Sequence, residues 1–354
     1  MLRSLALASA LVLLVTSSWG CDSDGDDGPT GSVTVMSQNL YLGGDIFAVT
    51  TATDANQVPG IVAQIYGDAL ASDFEERAES IADAIEAASP HLIGLQEVTT
   101  YRTQTPSDYV TGDTSVNAST VTVDFIAILL DALADRGLSY RIASNSPNAD
   151  VEFPATTDGQ TFFDVRYSDA DVILARSDVQ TSSAVEASFN QLVTVPVGGV
   201  DQTFVRGYQH VTATIDGFTF THINTHLEVG GAAAIAQQIQ AAELIGVIQG
   251  ISGPIAFTGD INSAADGSTT NSYTQLTGNL TDPGVGTGAT CCQDSDIRNA
   301  SSSLTTRIDF VMHRDFKSAS NYDVVLDDPA SRVTSNGESL WASDHAGVVA
   351  TLEY

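Results

Sequence analysis

Thr258-Gly259-Asp260-Ile261-Asn262 closes the apolar run Ile255-Ala256-Phe257, and Ser343-Asp344-His345 leads into a second run, Gly347-Val348-Val349-Ala350-Thr351-Leu352. Both runs read as β-strands, so each polar cluster sits at a strand end. Glycine permits a tight strand exit, and residues two apart project to the same side. The Asp260 carboxylate and the Asn262 carboxamide can therefore leave a sheet edge together. Oxygen ligands of this kind suit Mg²⁺, Mn²⁺ or Ca²⁺, and an Asp beside a His sets a ligand next to an acid or base.

The same pattern recurs outward along the chain. Ser32 to Ser37 alternates and is β-branched, a first strand with Asn39 just past its end. Leu40 to Leu70 reads as an irregular excursion with a short helix. Phe74 to Ala88 has helical periodicity, with Phe74, Ala78, Ile81 and Ile85 on one face and Pro90 beyond its end. His91 to Gln96 is a buried-strand pattern ending on Glu97. A helix is expected over Val121 to Asp135, then strands near Tyr140 to Ala143 and at Asp171 to Ala175. Gly207 to Ile215 and Phe218 to Asn224 form a hairpin through Asp216-Gly217. Gly230 to Gln249 is the longest helix, and a short one follows near Ser272 to Thr277. Strands at Arg307 to His313 and Ala346 to Glu353 complete two packed sheets flanked by helices. No repeat, coiled coil or second apolar stretch of membrane-spanning length is evident.

The chain has 354 residues, 43% of them hydrophobic, enough for a sizeable core in one domain. Its 44 acidic against 13 basic residues give a net charge of −31. Such a surface repels polyanions, because nonspecific nucleic-acid binding rests on cations that displace phosphate counterions. Residues 1–20 read as an export signal: Arg3, an apolar stretch from Leu5 to Val15, then small residues before Cys21. Cys21 fits the acylated first residue of a bacterial lipoprotein, although Trp19 departs from that pattern; cleavage and release is the alternative. Residues 21–31 are then an acidic tether, and residues 32–354 the catalytic domain. Cys291 and Cys292 are adjacent, about 3.8 Å apart between Cα atoms in the usual peptide and below the ordinary disulfide range. A strained bridge and two free thiols both remain open.

Asn39, Glu97, His226, Asp260 with Asn262, and Asp344 with His345 thus all stand at strand ends, joined by Asp309 in Arg307-Ile308-Asp309-Phe310. A buried strand has no use for a charge at its end unless the charge is solvated or functional. In chain order, Ser37-Gln38-Asn39, Leu95-Gln96-Glu97-Val98, Asn224-Thr225-His226-Leu227, Gly259-Asp260-Ile261-Asn262, Arg307-Ile308-Asp309-Phe310 and Ser343-Asp344-His345 resemble the endonuclease/exonuclease/phosphatase superfamily, the DNase I-like fold. Thr290-Cys291-Cys292-Gln293-Asp294 also resembles a segment of its exported bacterial members.

That resemblance implies a four-layered α/β sandwich and a metal-dependent phosphoric ester hydrolase in which water attacks phosphorus in line. It implies metal ligation by Glu97, Asn39 and Asp344, with Mg²⁺ the first expectation and Mn²⁺ or Ca²⁺ the others. Asp260 would orient or deprotonate the water, and Asn262 would hold it or a phosphate oxygen. His345, oriented by Asp309, would contact the phosphoryl group, while His226 would protonate the leaving oxygen. Two imidazoles flanking a phosphate make a workable acid–base pair near neutral pH.

Where duplex-cutting relatives carry arginines, this chain has Tyr41 and Thr99, with Arg102 nearest. Small-molecule or lipid-headgroup esters are therefore preferred over nucleic acid as substrate. A binding module on an inactive scaffold is the rival from another class, and intact Glu97, Asp260, Asp309 and both histidines argue against it. A monomer is expected, in the cell envelope through Cys21 or secreted. His91, His210 and His222 read as structural, His313 as exposed, Tyr140 as remote, and Phe153, Phe162 and Phe163 as core rather than a lip for an apolar substrate.

Overall fold

The computed structural model describes residues 29–354; the expected export signal, Cys21 and most of the expected tether lie outside the described residues. Two sheets stack face to face. The larger has seven strands, ordered β13 (Ser318–Val325), β16 (Gly347–Glu353), β1 (Ser32–Asn39), β2 (Leu92–Gln104), β5 (Phe163–Arg176) and β4 (Tyr140–Ala155), with β3 (Thr120–Asp124) also on β2. The smaller has five: β12 (Asp309–Arg314), β11 (Ile255–Asp260), β10 (Phe218–His226), β9 (Gly207–Ile215) and β6 (Gln180–Ser188). Two hairpins stand apart, β7 (Val193–Val197) with β8 (Val200–Phe204), and β14 (Val333–Ser335) with β15 (Glu338–Leu340). The helices are α1 (Val58–Ala71), α2 (Phe74–Ala88), α3 (Phe125–Asp135), α4 (Ala234–Gly250) and α5 (Ser272–Thr277).

Strand alternation sorts the apolar side chains into layers. Val33, Val35, Leu92 and Val348 of the larger sheet meet Val211, Phe220 and Val311 of the smaller one. On the other face, Met36, Ile93 and Val349 pack under Ile81 and Ile85 of α2 and Phe125 and Leu129 of α3. Ile223, Phe257 and Phe310 face Leu244 and Ile248 of α4. Each such side chain stabilises the fold by about 1.5–3 kcal/mol when fully buried. Helix, sheet, sheet, helix: the four-layered α/β sandwich is what forms.

At the site end the two sheets touch through polar groups. Asn224 of β10 donates to Leu95 O at 3.0 Å and accepts from Gln96 Nε2 at 2.7 Å and Thr258 Oγ1 at 3.1 Å. Gly94 makes this possible, because a Cβ there would collide with Thr258 and Asn224. Gly259 has a similar reason. It lies within β11 rather than at the exit, and a Cβ would come within 2.7 Å of Thr225 O on the neighbouring strand. The turn expected at Gly259 is made instead by Asn262, at φ +50°.

Other departures have local causes. Leu40 to Leu70 contains a 3₁₀ turn at Ile46–Thr51 and the 14-residue α1, which lacks a side-chain cap. The helix expected from Val121 begins at Phe125: β-branched Thr120–Val123 extends β2's partner strand, and Asp124 caps α3 by accepting from Ala127 N at 3.2 Å. Strands β4 and β5 reach 16 and 14 residues, and β6, β7 and β8 were unforeseen. Gly231–Gly250, containing α4, is long and apolar enough to cross a membrane, contrary to expectation, yet Ala241, Leu244 and Ile248 bury it against the smaller sheet.

Gly94→Ala should force the sheets apart at the Asn224 bridge and cost about 1–3 kcal/mol in denaturant unfolding. Gly246→Ala, in open space on α4, should instead be stabilising by up to about 1 kcal/mol. Equal unfolding midpoints for the two variants would refute the packing role of Gly94.

Candidate active site

Strand direction brings the polar clusters to one rim. Strands β1 and β2 are parallel, pairing Asn39 with Gln96, and β10 and β11 are parallel, pairing His226 with Asp260. Strand β12 runs the other way and starts at this rim, with Asp309 opposite Asp260. Strand β16, antiparallel to β1, starts there too, directly after Asp344 and His345.

The buried Asp260 carboxylate is the hub. Its Oδ2 accepts from Asn39 Nδ2 at 3.2 Å and lies 3.5 Å from His226 Nε2 and 3.8 Å from His345 Nδ1. Its Oδ1 accepts from the backbone N–H of Asn262 at 2.9 Å, and Asn262 in turn holds Leu227 O at 3.0 Å and meets His226 Nε2 at 3.1 Å. His345 Nδ1 bonds Asp309 Oδ2 at 2.9 Å, as the motif order implied. Glu97 sits in a bulge of β2 at φ +60°, which turns its carboxylate off the strand to accept from Leu42 N at 2.9 Å. Asp344 is half-buried beside His345.

Charge divides the two imidazoles. Burial, then the guanidinium of Arg206, holds His226 well below its ordinary pKa. Burial also opposes protonation of His345, but Asp309, Asp344 and Asp260 outweigh it and hold that ring well above the ordinary value. Asp260 is pushed up to about 8 by burial and by Asp309. One neutral ring and one charged ring therefore flank a single carboxylate.

Several partners escaped the sequence reading. Arg206 Nη1 lies 2.7 Å from His226 Nδ1, and Asp171 Oδ1 is 3.9 Å from the same nitrogen. Both Asp171 oxygens are buried without a partner, and burial pushes this carboxyl up to about 7. Fully buried Arg77 of α2 donates to Leu40 O at 2.7 Å and Ala342 O at 2.9 Å, tying the segment after Asn39 to the one before Asp344. Cys291 and Cys292 are bridged, and Cys292 Sγ lies 3.8 Å from His345 Nε2.

Of the set-aside residues, Phe153 is only half-buried and lines an apolar cleft, so it is not purely core; the histidines and Tyr140 stay apart, with corrections. His313 is buried, not exposed. His222 is buried against Thr258 Oγ1 at 3.3 Å, and His91 accepts from Thr34 N at 3.0 Å. The half-buried His210 leaves Nδ1 without a partner, so it is not fully hydrogen-bonded. Tyr140 donates to Pro90 O at 2.6 Å, at the start of its strand.

The rim fits a hard divalent cation. Burial and the Asp344 carboxylate raise Glu97, and burial raises Asp344 despite His345 and Arg77. Neither carboxylate is in an ion pair with Lys or Arg among the described residues. Asn39 Oδ1 accepts only from Tyr41 N, at 2.9 Å, and keeps a lone pair. Oxygen donors with surplus negative charge are the set that Mg²⁺, Mn²⁺ or Ca²⁺ takes.

Residues 36–345 match a family model described as the Endonuclease/Exonuclease/phosphatase family. No curated protein matches the sequence. Among solved structures, the fold is similar to an endonuclease/exonuclease/phosphatase family protein from Bacteroides thetaiotaomicron, at 17% identity and TM-score 0.55 over 92% of this chain and 99% of that one. A family protein from Leptotrichia buccalis gives 14% identity and TM-score 0.54 over 91% and 100%. A Bacteroides thetaiotaomicron mannosyl-6-phosphatase gives 17% and 0.53 over 91% and 100%. With its fold, its rim and a family model over most of its length in agreement, the chain belongs to the endonuclease/exonuclease/phosphatase family, a hydrolytic superfamily of phosphatases and nucleases.

Proposed function

We propose that the chain is an exported, metal-assisted hydrolase of small-molecule or lipid phosphoesters. The observation that carries this reading is the pair of imidazoles, 3.5 and 3.8 Å from one carboxylate oxygen and held in opposite charge states. Glu97, Asp344 and the Asn39 amide oxygen would hold the divalent ion, which when bound neutralises charge growing on the phosphoryl oxygens. Asp260 orients and deprotonates the attacking water, and its raised pKa suits a base near neutral pH. Asn262 positions that water or a phosphate oxygen. His345, charged and fixed by Asp309, donates to the phosphoryl group. His226, held neutral by burial and then by Arg206, would take up a proton from solvent as the negatively charged phosphoester binds beside it, and pass that proton to the leaving oxygen.

Three features support a small or lipid substrate over duplex nucleic acid. The net charge is −31, and Arg102 is held by Ser168 Oγ at 2.9 Å. An apolar cleft of about 80 Å³ is lined by Val62, Tyr66, Tyr101, Phe153, Val165 and Phe204. It shares Ile46, Tyr167 and Phe204 with a smaller hollow lined by Leu42 and Arg206, which contact Glu97 and His226. An alkyl group would suit such a cleft better than a charged phosphodiester backbone. The mannosyl-6-phosphatase likeness keeps sugar phosphates in the screen.

His226→Gln should lose orders of magnitude on alkyl phosphoesters but far less on p-nitrophenyl esters, whose leaving group needs no proton. Equal losses on both would remove the acid role. Glu97→Gln should shift the metal titration of activity to higher concentration; an unchanged titration counts against ligation. Membrane attachment through Cys21 is checked by the mass of the mature N-terminus, where Cys21→Ser should abolish any lipid adduct. Plasmid nicking that outpaces every small ester would favour the nuclease reading.

A further inference from the structure

We propose a second cation site, for calcium, on the face of β4 and β5 that points away from the apolar cleft. Asp108, in the loop joining β2 to β3, meets Glu152 of β4 and Asp164 of β5, with ligand oxygens all within 4.8 Å of one another. Two ligands of one Ca²⁺ at about 2.4 Å each can stand up to about 4.8 Å apart, so the cluster is compact enough to share one ion. Acidic neighbours alone would not make a site. Here, however, Glu152 is only 4% exposed, one of its oxygens belongs to the cluster, and its Oε1 has no hydrogen-bond partner.

The remaining hydrogen bonds orient the group without neutralising it. Glu152 Oε2 accepts from the backbone N–H of Asn117 at 2.7 Å and Ala118 at 2.8 Å. Asp164, fully buried, accepts from Asp108 N at 2.9 Å and from the Ser107 hydroxyl. Asp108 Oδ2 accepts from Gln104 Nε2 at 2.6 Å and Asn117 Nδ2 at 3.1 Å. Left over are Asp108 Oδ1, Asn117 Oδ1 and Glu152 Oε1, three buried acceptors with nothing to accept from. A water molecule has two protons for three such oxygens and brings no charge. No Lys or Arg ion pair reaches the three carboxylates among the described residues, and Arg166 is taken by Asp150 at 2.7 Å. Arg166, across the strand from Glu152, spends its hydrogen bonds on Asp150 and Ala118 O and lends Glu152 only its field. Burying the rest of this negative charge unpaired is costly, and a divalent cation satisfies both charge and lone pairs. Oxygen-only ligands drawn from an irregular loop and two strands suit the flexible coordination of Ca²⁺ better than the strict octahedron of Mg²⁺.

The ion would fasten residues 107–118 to β4 and β5. Phe153 and Val165, adjacent to Glu152 and Asp164, face the apolar cleft, and Tyr109 of the loop packs on Phe153 at 6.3 Å between ring centroids. Calcium therefore sets the stiffness of the cleft wall without touching the reacting atoms.

The test is amide hydrogen exchange of residues 107–118 in the full chain carrying Glu97→Gln, which weakens binding at the catalytic rim. Calcium at about ten times its half-saturating concentration should slow that exchange about tenfold, and Mg²⁺ at equal concentration much less. Asp108→Asn, at a half-exposed position, and Glu152→Gln should each abolish the slowing; if Glu152→Gln does not fold, Asp108→Asn decides alone. No slowing up to about 10 mM calcium, well above the weak end of protein calcium sites, would overturn the proposal. So would slowing that survives Asp108→Asn, or an equal response to Mg²⁺.

Discussion

A carboxylate held out of water at the meeting of four strands governs this molecule. Asp260 is 1% exposed; sheet register places the side chains around it, and the turn after β11 supplies the Asn262 N–H. Parallel pairing brings His226 alongside it, antiparallel pairing brings Asp309, and the contact between sheets brings Asn39. A one-residue slip in any of these strands would turn the corresponding side chain to the wrong face. Fold and site are thus specified by the same hydrogen-bond ladders, and no loop is needed to carry the central carboxylate.

The asymmetry of the histidines follows from what lies behind each ring. Behind His226 stands a guanidinium, with Asp171 farther off; behind His345 stands a carboxylate at 2.9 Å. Similar burial therefore yields opposite proton occupancy. On the roles proposed above, with Asp260 as the base, the charged ring can donate to the phosphoryl group at once, whereas the neutral one acts as an acid only after it has taken up a proton.

The sequence disclosed the rim well because its chemistry is written in short local motifs at strand ends. Asp260-Ile261-Asn262 and Asp344-His345 are legible since carboxylate, amide and imidazole fall within two positions of each other. The residues that tune them are not. Arg77 lies in a helix among acidic residues and reads as surface charge, whereas it is fully buried and satisfied by distant carbonyls. Asp169 and Asp171 alternate along β5 as solvated residues would, and only the packing of Arg206 reveals otherwise. Strand β4 was legible only at its start because Pro147 and Pro154 break the pattern; as the edge strand of its sheet, it tolerates them. Helix α1 hid behind Gly60, Gly67 and an absent cap.

The place of β16 has a consequence for the life of the chain. This strand, downstream of the other described strands, inserts between β1 and β13 in the larger sheet, and the residues just before it supply Asp344 and His345. A polypeptide that stops before Ala342 has a gap at the sheet's heart, neither Asp344 nor His345, and an Arg77 without the Ala342 carbonyl. On the reading proposed above, a nascent chain of that length has no working centre to turn on the phosphate esters around it.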